Sequence, residues 1–230
     1  MEQILDFFTI PLIDSAIRLG TPIILAALGG AICNRAGVLN LALEGKMLLG
    51  SFLAIISAYY IQNSLGVSPL LSTYLSLIVA MLSGGILGAL FAFLYIKYKV
   101  NLVILAIAIN LMILELTVFM MRVLFGQVGT WSDPSIVQLP DWELPIIQNI
   151  PIIGDLLSGF NIIVYAAMVF CILGFFVLFR TKFGRHIRAV GENIEAARTV
   201  GINVNRVQIF PLLIMLVPAA LGGSGLTVDP

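Results

Sequence analysis

Long apolar runs separated by short polar clusters dominate the chain, and their lengths set its architecture. A helix of about 20 predominantly apolar residues crosses a hydrocarbon core about 30 Å thick. The stretches from about Ser68 to Ile96 and from about Asn161 to Phe179 contain no charged residue, and Val100 to Met121 contains only Glu115. Ala42 to Tyr60 carries Glu44 and Lys46, while Pro11 to Ile32 carries Arg18, Pro22 and the Gly29-Gly30 pair. A last apolar stretch runs from Ile209 to Leu221, then gives way to Gly222-Gly223-Ser224-Gly225 and reaches Pro230. The pattern predicts an all-α membrane protein: a polytopic transmembrane helix bundle of about six spans, the sixth incomplete, in a single domain over residues 1–230.

Composition sharpens this picture. Of 230 residues, 60% are hydrophobic and 10% charged, against roughly a quarter charged in an ordinary soluble domain. A water-soluble fold is excluded, and the lipid bilayer is the first expected partner. Twelve Lys and Arg balance twelve Asp and Glu, so no net basic field points to nucleic acid. Cys33 and Cys171 sit inside apolar runs, and His186 has no Cys or His at ligand spacing. Neither a disulfide framework nor a metal site is expected. Glu2, Asp6 and Asp14 give the N-terminus the wrong charge for a secretory signal, so the first segment is expected to be retained.

Charge position gives orientation, because Lys and Arg are held on the cytoplasmic side. Arg180, Lys182, Arg185, Arg188, Arg198 and Arg206 crowd the connection at about 180–206. The stretch at about 124–160 has Asp133, Asp141, Glu143 and Asp155 and no basic residue. The first is therefore expected inside and the second outside. Counting back, Lys97 and Lys99 fall inside and Gln62-Asn63-Ser64 outside. The external stretch holds Trp131, Trp142 and four prolines, Pro134, Pro140, Pro145 and Pro151. It reads either as an interfacial loop with aromatic anchors or as a docking surface for an extracytoplasmic partner.

Within the cytoplasmic connection, Asn193 is placed to cap a short helix beginning at Ile194. Glu195 falls in its first turn, Arg198 near its last, and Gly201 follows as a stop. Ile194, Ala197 and Val200 give it a small apolar face at roughly helical spacing, whereas Arg180 to Arg188 reads as a solvated basic loop. A second constellation, Asn34-Arg35-Ala36-Gly37-Val38-Leu39-Asn40 leading to Glu44-Gly45-Lys46, interrupts two apolar segments. Irregular backbone at membrane depth is tolerated only where protein or a water-filled cavity satisfies it, and interrupted helices point to substrate sites in transporters. Both readings stay open here: a substrate-lining interruption or an ordinary cytoplasmic turn. Glu44 and Lys46 are two positions apart and so point to different helix faces. Asn110 and Glu115 lie inside a span, where a charge is expected to face a bundle interior or cavity. Asn101 and Thr117 are candidates for the same polar lining, and hydrogen bonding between helices is the competing account for Asn110 and Asn101. Gly84, Gly85 and Gly88, with Ala80, Ala89 and Ala92, read as close-packing positions. No G-x-x-x-x-G-K-[ST] motif is present, since Gly45-Lys46 is followed by Met47, so this chain has no P-loop with which to hydrolyse ATP. No G-x-S-x-G or H-E-x-x-H motif supplies a catalytic nucleophile or ligand set either.

Four separated blocks in order resemble a known family. Thr21-Pro22 through Leu28-Gly29-Gly30, followed by Asn34-Arg35-Ala36-Gly37-Val38-Leu39-Asn40-Leu41-Ala42-Leu43-Glu44-Gly45, resembles the early signature of permease subunits of ABC importers. The relevant group takes nucleosides and simple sugars and is related to ribose and branched-chain amino-acid permeases. Asn101 to Asn110 is similar to its following helix, and Ile150-Pro151-Ile152-Ile153-Gly154 to its external loop. Arg180 to Arg185, Arg188 to Asn193, Glu195-Ala196-Ala197 and Gly201-Ile202-Asn203-Val204 resemble its cytoplasmic coupling loop. The resemblance implies a pair of permease subunits, a separate ATPase carrying ATP and Mg, an extracytoplasmic solute-binding protein and a bacterial inner-membrane location. It implies coupling to the ATPase through Arg188, Asn193, Glu195, Ala196, Ala197 and Gly201, and a translocation path near Asn34, Gly37, Asn40, Glu44, Asn110 and Glu115. A nucleoside is the leading expected solute, with riboflavin, a simple sugar or a branched-chain amino acid as alternatives. The resemblance also implies several helices beyond the coupling loop, so the chain is expected to be a truncated or frameshifted product or an incomplete copy of a longer sequence. A non-transporting membrane remnant is the alternative function.

Overall fold

A computed structural model describes residues 10–38, 42–126, 139–142, 159–214 and 221–222. Met1 to Thr9, Asn40, Trp131, Pro134, Pro145, Pro151, Pro218 and the residues from Gly223 onward lie outside the described residues. The described residues form helices α1 (Ile10–Arg35), α2 (Leu43–Leu65), α3 (Pro69–Tyr98), α4 (Leu102–Phe125), α5 (Ile162–Arg180), α6 (Lys182–Glu192), α7 (Ile194–Thr199) and α8 (Val204–Ile214). No strand occurs among them. Helices α1 to α5 are long and apolar enough to cross a membrane, so the five expected spans are all present. The sixth starts at Val204 rather than Ile209, and past Ile214 only Leu221-Gly222 belongs to the described residues.

Local chemistry sets the helix ends. Asn101 Oδ1 accepts from Val103 N (2.9 Å) and Ile104 N (3.4 Å), capping α4, and Asn161 Oδ1 does the same for α5 with Ile163 N (3.0 Å) and Val164 N (3.1 Å). Asn101 therefore belongs to a helix start and not to a polar lining. Pro69 opens α3 where its missing N–H is not needed. Gly66 closes α2 in the left-handed region (φ 62°), between two antiparallel spans.

The buried face of α3 alternates small, hydroxyl and large residues: Ser76, Ala80, Ser83, Gly84, Leu87, Gly88 and Phe91. Small residues let helices approach closely where lipid supplies no hydrophobic drive between them. The hydroxyls are satisfied within their own helix, Ser76 on Thr73 O (2.7 Å) and Ser83 on Ala80 O (2.7 Å). Of the expected close-packing positions, Ala80, Gly84, Gly88 and Ala92 are buried, whereas Gly85 and Ala89 are not. Helices α2, α3 and α4 pack as one group and α1 with α5 as another, while α8 touches both α3 and α1. One apolar cluster ties together the basic end of the bundle, the end expected to face the cytoplasm, through Ile32, Val38, Phe91, Ile109, Ile187, Val190, Val207 and Leu212. A second joins Leu25, Ala54, Leu77, Ile163 and Ala167. Large apolar side chains on the outer surface, such as Ile86, Ile104 and Ile172, are the lipid-facing complement of these clusters.

Candidate functional site at the basic end

The basic stretch after α5 is a helix, not a solvated loop. Thr181 Oγ1 accepts from Gly184 N (3.0 Å) and donates to Val177 O (2.6 Å), which turns the chain sharply from α5 into α6. Gly184, Ile187 and Val190 face inward at helical spacing, while Lys182, Arg185 and His186 face out. Arg188 does not reach outward. Its guanidinium lies 5.3 Å from the Phe179 ring centroid, folded back on the end of α5.

Helix α7 has the boundaries its capping residues dictate. Asn193 Oδ1 accepts from Ala196 N (3.0 Å), and the exposed Glu195 and Arg198 pair at 2.9 Å. Gly201 (φ 81°) receives the chain past the helix end, its N–H donating to Arg198 O (3.0 Å). The expected apolar face is divided. Ala197 is buried in the cytoplasmic cluster with Ile194 packed beside it, whereas Val200 is 74% exposed. Val200 lies beyond Thr199, where helical geometry has ended. A protein docking on α7 therefore meets Glu195, Ala196, Arg198 and Val200, while Ala197 holds the helix to its own bundle. Replacing Asn193 by alanine is expected to cost about 1 kcal/mol at this short helix. Hydrogen–deuterium exchange over residues 194–199 should rise while α1 to α5 stay protected.

The turn that ends α1, at residues 36–38, rests on α6 and α8. Gly37 adopts φ 73°, and Val38 N–H donates to Cys33 O (3.1 Å), a left-handed close to α1. A Cβ added at Gly191, in the last turn of α6, would collide with the Arg35 carbonyl oxygen and lie 3.3 Å from the Gly37 nitrogen. Gln208 of α8 donates through Nε2 to Ala36 O (3.5 Å). The turn thus docks on α6 and α8, with Ala36 and Val38 fully buried and Asn34 exposed.

Beyond the turn, Gly45 N–H donates to Asn110 Oδ1 (3.0 Å). The first N–H groups of a helix lack intrahelical partners, and Ala42 offers α2 no side-chain cap. Asn110 supplies one from α4. Glu44 is exposed and Lys46 fully buried, with its Nζ 5.1 Å from the Phe91 ring centroid, so the two diverge as their spacing requires. Thr117 is buried and donates to Leu114 O (2.8 Å). Glu115, by contrast, lies on the exposed face of α4 within this chain, and Asn110 and Glu115 do not share a lining. Of the path candidates, Asn110 and Gly37 are held in backbone contacts, Asn34, Glu44 and Glu115 are exposed, and Asn40 lies outside the described residues.

At the opposite end Arg18 has a role that its sequence context did not reveal. Its guanidinium donates to both Asp141 carboxylate oxygens (3.1 Å each) and to Gly159 O (2.7 Å), above the Phe160 ring at 5.7 Å. Trp142 N–H bonds Phe160 O (2.9 Å), and Tyr165 OH donates to Trp142 O (3.2 Å). Asp141 and Trp142, in the middle of that loop, are therefore clasped to its end at Gly159 and Phe160 and to α1. The acidic character of that loop was the only sequence signal for such a pairing.

Residues 12–229 match the family model described as branched-chain amino acid transport system / permease component. The guanosine ABC transporter permease protein NupQ of Bacillus subtilis is 31% identical over 93% of this chain and 66% of its own length. The nucleoside ABC transporter permease protein NupC of Lactococcus lactis subsp. cremoris is 33% identical over 89% of this chain and 63% of its own. The putative glucose ABC transporter permease protein TsgC13 of Haloferax volcanii is 31% identical over 90% of this chain and 59% of its own. The chain thus spans 59–66% of the length of these relatives. No solved structure matches it. With almost the whole chain inside the family match and both of its membrane ends built from the matched residues, the chain belongs to the branched-chain amino acid transport system permease family.

Proposed function

We propose that the chain is a membrane-spanning permease subunit of an ABC importer and that its solute is a nucleoside. The observation that carries this reading is the likeness, over about nine tenths of the chain, to proteins named as guanosine and nucleoside permeases. Five apolar helices and the family membership make the protein a multi-pass protein of the cell membrane. In this reading a separate ATPase, holding ATP and Mg, grips the exposed side of α7 at Glu195, Ala196 and Arg198. An extracytoplasmic binding protein delivers solute on the side of the Arg18 clasp. An ionised carboxylate facing lipid costs about 2.5 to 3.5 kcal/mol on insertion scales, so the α4 face bearing Glu115 is assigned to a second permease subunit or to the water-filled path beside it. Glu44, exposed at the start of α2, is assigned to the cytoplasmic mouth of that path, and Asn110 holds the helix start behind it.

Uptake by the complete transporter in proteoliposomes tests the reading. Tritiated guanosine should accumulate only with ATP inside and binding protein outside, and unlabelled nucleosides should compete. The likeness to a glucose permease favours a simple sugar as second reading. Competition by glucose and not by uridine would replace the nucleoside assignment with that one.

A further inference from the structure

Two cavities of about 320 Å³ each share Ile96, where α3 passes α8 at the basic end of the bundle. The first is apolar, formed by Ala89, Ala92, Phe93 and Ile96 of α3 and Ile209 of α8, with Lys97 as its one charged residue. The second is polar and carries Tyr95, Lys99, Arg198, Asn205 and Gln208. The α3 residues of the first cavity recur at steps of three and four and so lie on one helix face, with alanine at two positions leaving the space. Ile86, Leu90 and Phe93 are exposed on the same side of that span, so the apolar cavity lies beside the lipid-facing surface. The Lys97 ammonium stands over the rings of Phe93 (5.0 Å) and Tyr98 (5.7 Å), which themselves meet edge to face. These contacts hold it at the rim of the apolar cavity. Lys99 closes α3 in the left-handed region (φ 51°), an uncommon conformation for a residue with a side chain, and lines the polar cavity.

We propose that this groove binds an anionic phospholipid, with an acyl chain against Ala89, Ala92 and Phe93 and the phosphate held by Lys97 and Lys99. Charge decides the class of occupant. Among the described residues neither cavity is lined by a carboxylate and neither lysine is paired with one, whereas Arg198 is taken up by Glu195 at 2.9 Å. A soluble anion would leave the apolar cavity empty, and a neutral lipid or a further apolar helix would leave two ammonium groups without counter-charge. The basic end is the one expected to face the cytoplasm, where the leaflet carries anionic headgroups that basic pockets between spans recognise. The proposal needs the chain to lie in a membrane and is independent of the solute it carries.

Native mass spectrometry of the detergent-purified protein, titrated with phosphatidylglycerol or phosphatidylcholine of the same acyl chains, tests the site. The natural protein should bind phosphatidylglycerol about 25-fold tighter, about fivefold for each lysine. Replacing both, Lys97→Gln with Lys99→Gln, should bring the two lipids to equal affinity by weakening phosphatidylglycerol alone. Lys182→Gln, an exposed position on α6 outside both cavities, should change neither. Ala89→Leu, which fills the apolar cavity from an exposed position, should weaken both lipids by at least about fivefold by displacing part of the acyl chain. Equal affinity of the natural protein for the two lipids overturns the proposal, as does an equal loss from Lys182→Gln, which would mean a general attraction to basic surface. Displacement of phosphatidylglycerol by inorganic phosphate in excess would make this a site for a soluble anion and overturn the lipid assignment. Should the double lysine variant fail to fold, Ala89→Leu decides, and unchanged lipid binding in it overturns the proposal.

Discussion

Valine at Gly184 is expected to destabilise the protein by about 3 kcal/mol and to abolish ATP-dependent uptake. The reason lies in the elbow between α5 and α6. A Cβ at Gly184 would collide with the carbonyl oxygens of Val177 and Leu178 and lie 2.6 Å from the Leu178 carbonyl carbon. These are backbone atoms at the end of a membrane span, so no side chain can swing aside. Relief requires α6 to move away from α5, which breaks the Thr181 cap and lifts Ile187 and Val190 from the cytoplasmic cluster. For a chain of this size such a loss lowers the melting temperature by about 6 to 12 °C. Thermal unfolding of the detergent-purified variant measures it, and melting within about 2 °C of the natural protein would remove the elbow from this account.

The second large effect concerns Gly45 and Asn110. A Cβ at Gly45 would stand 2.8 Å from Asn110 Oδ1 and 3.2 Å from Asn110 Cα, so Gly45→Ala pushes the amide off the backbone N–H that it accepts from. The expected cost is about 2 kcal/mol, combining overpacking with an unsatisfied donor. Asn110→Ala removes the acceptor alone and is expected to cost about 1 to 2 kcal/mol. The double variant should cost less than the two together, by at least about 1 kcal/mol, because the alanine at 110 leaves room for the new methyl group. Strict additivity in unfolding measurements on the four proteins would mean that the two residues do not touch.

The caps at Asn101 and Asn161 went unread although they act within three residues of themselves, whereas the five spans were legible because an apolar run of membrane length is a local property of the sequence. Helix α7 was legible for the same reason: Asn193 and Gly201 act on atoms within a few residues of themselves. Helix α6 was not, because Lys182, Arg185 and Arg188 made its surface read as a loop, although Thr181 stands three residues before Gly184 and Ile187 is three before Val190. The division of the α7 face was missed because the spacing of Ile194, Ala197 and Val200 assumes a helix that continues through Val200, whereas it ends at Thr199. The contacts that unite the cytoplasmic end were beyond local reading altogether. Gly45 and Asn110 are 65 positions apart and Ala36 and Gln208 are 172 apart. Neither leaves a periodicity or a cap to find. Gly37 and Gly191 appeared among the motif residues, but for different reasons: Gly37 takes a left-handed conformation, and Gly191 lies against the Arg35 backbone.

The Arg18 clasp has a consequence for biosynthesis. Arg18 and Asp141 are 123 positions apart, and a ribosome working at about 5 to 20 residues per second takes about 6 to 25 seconds to cover that interval. Four spans emerge before the carboxylate that Arg18 grips has been made. The clasp that ties α1 to Asp141 therefore forms only after α2, α3 and α4 have been made.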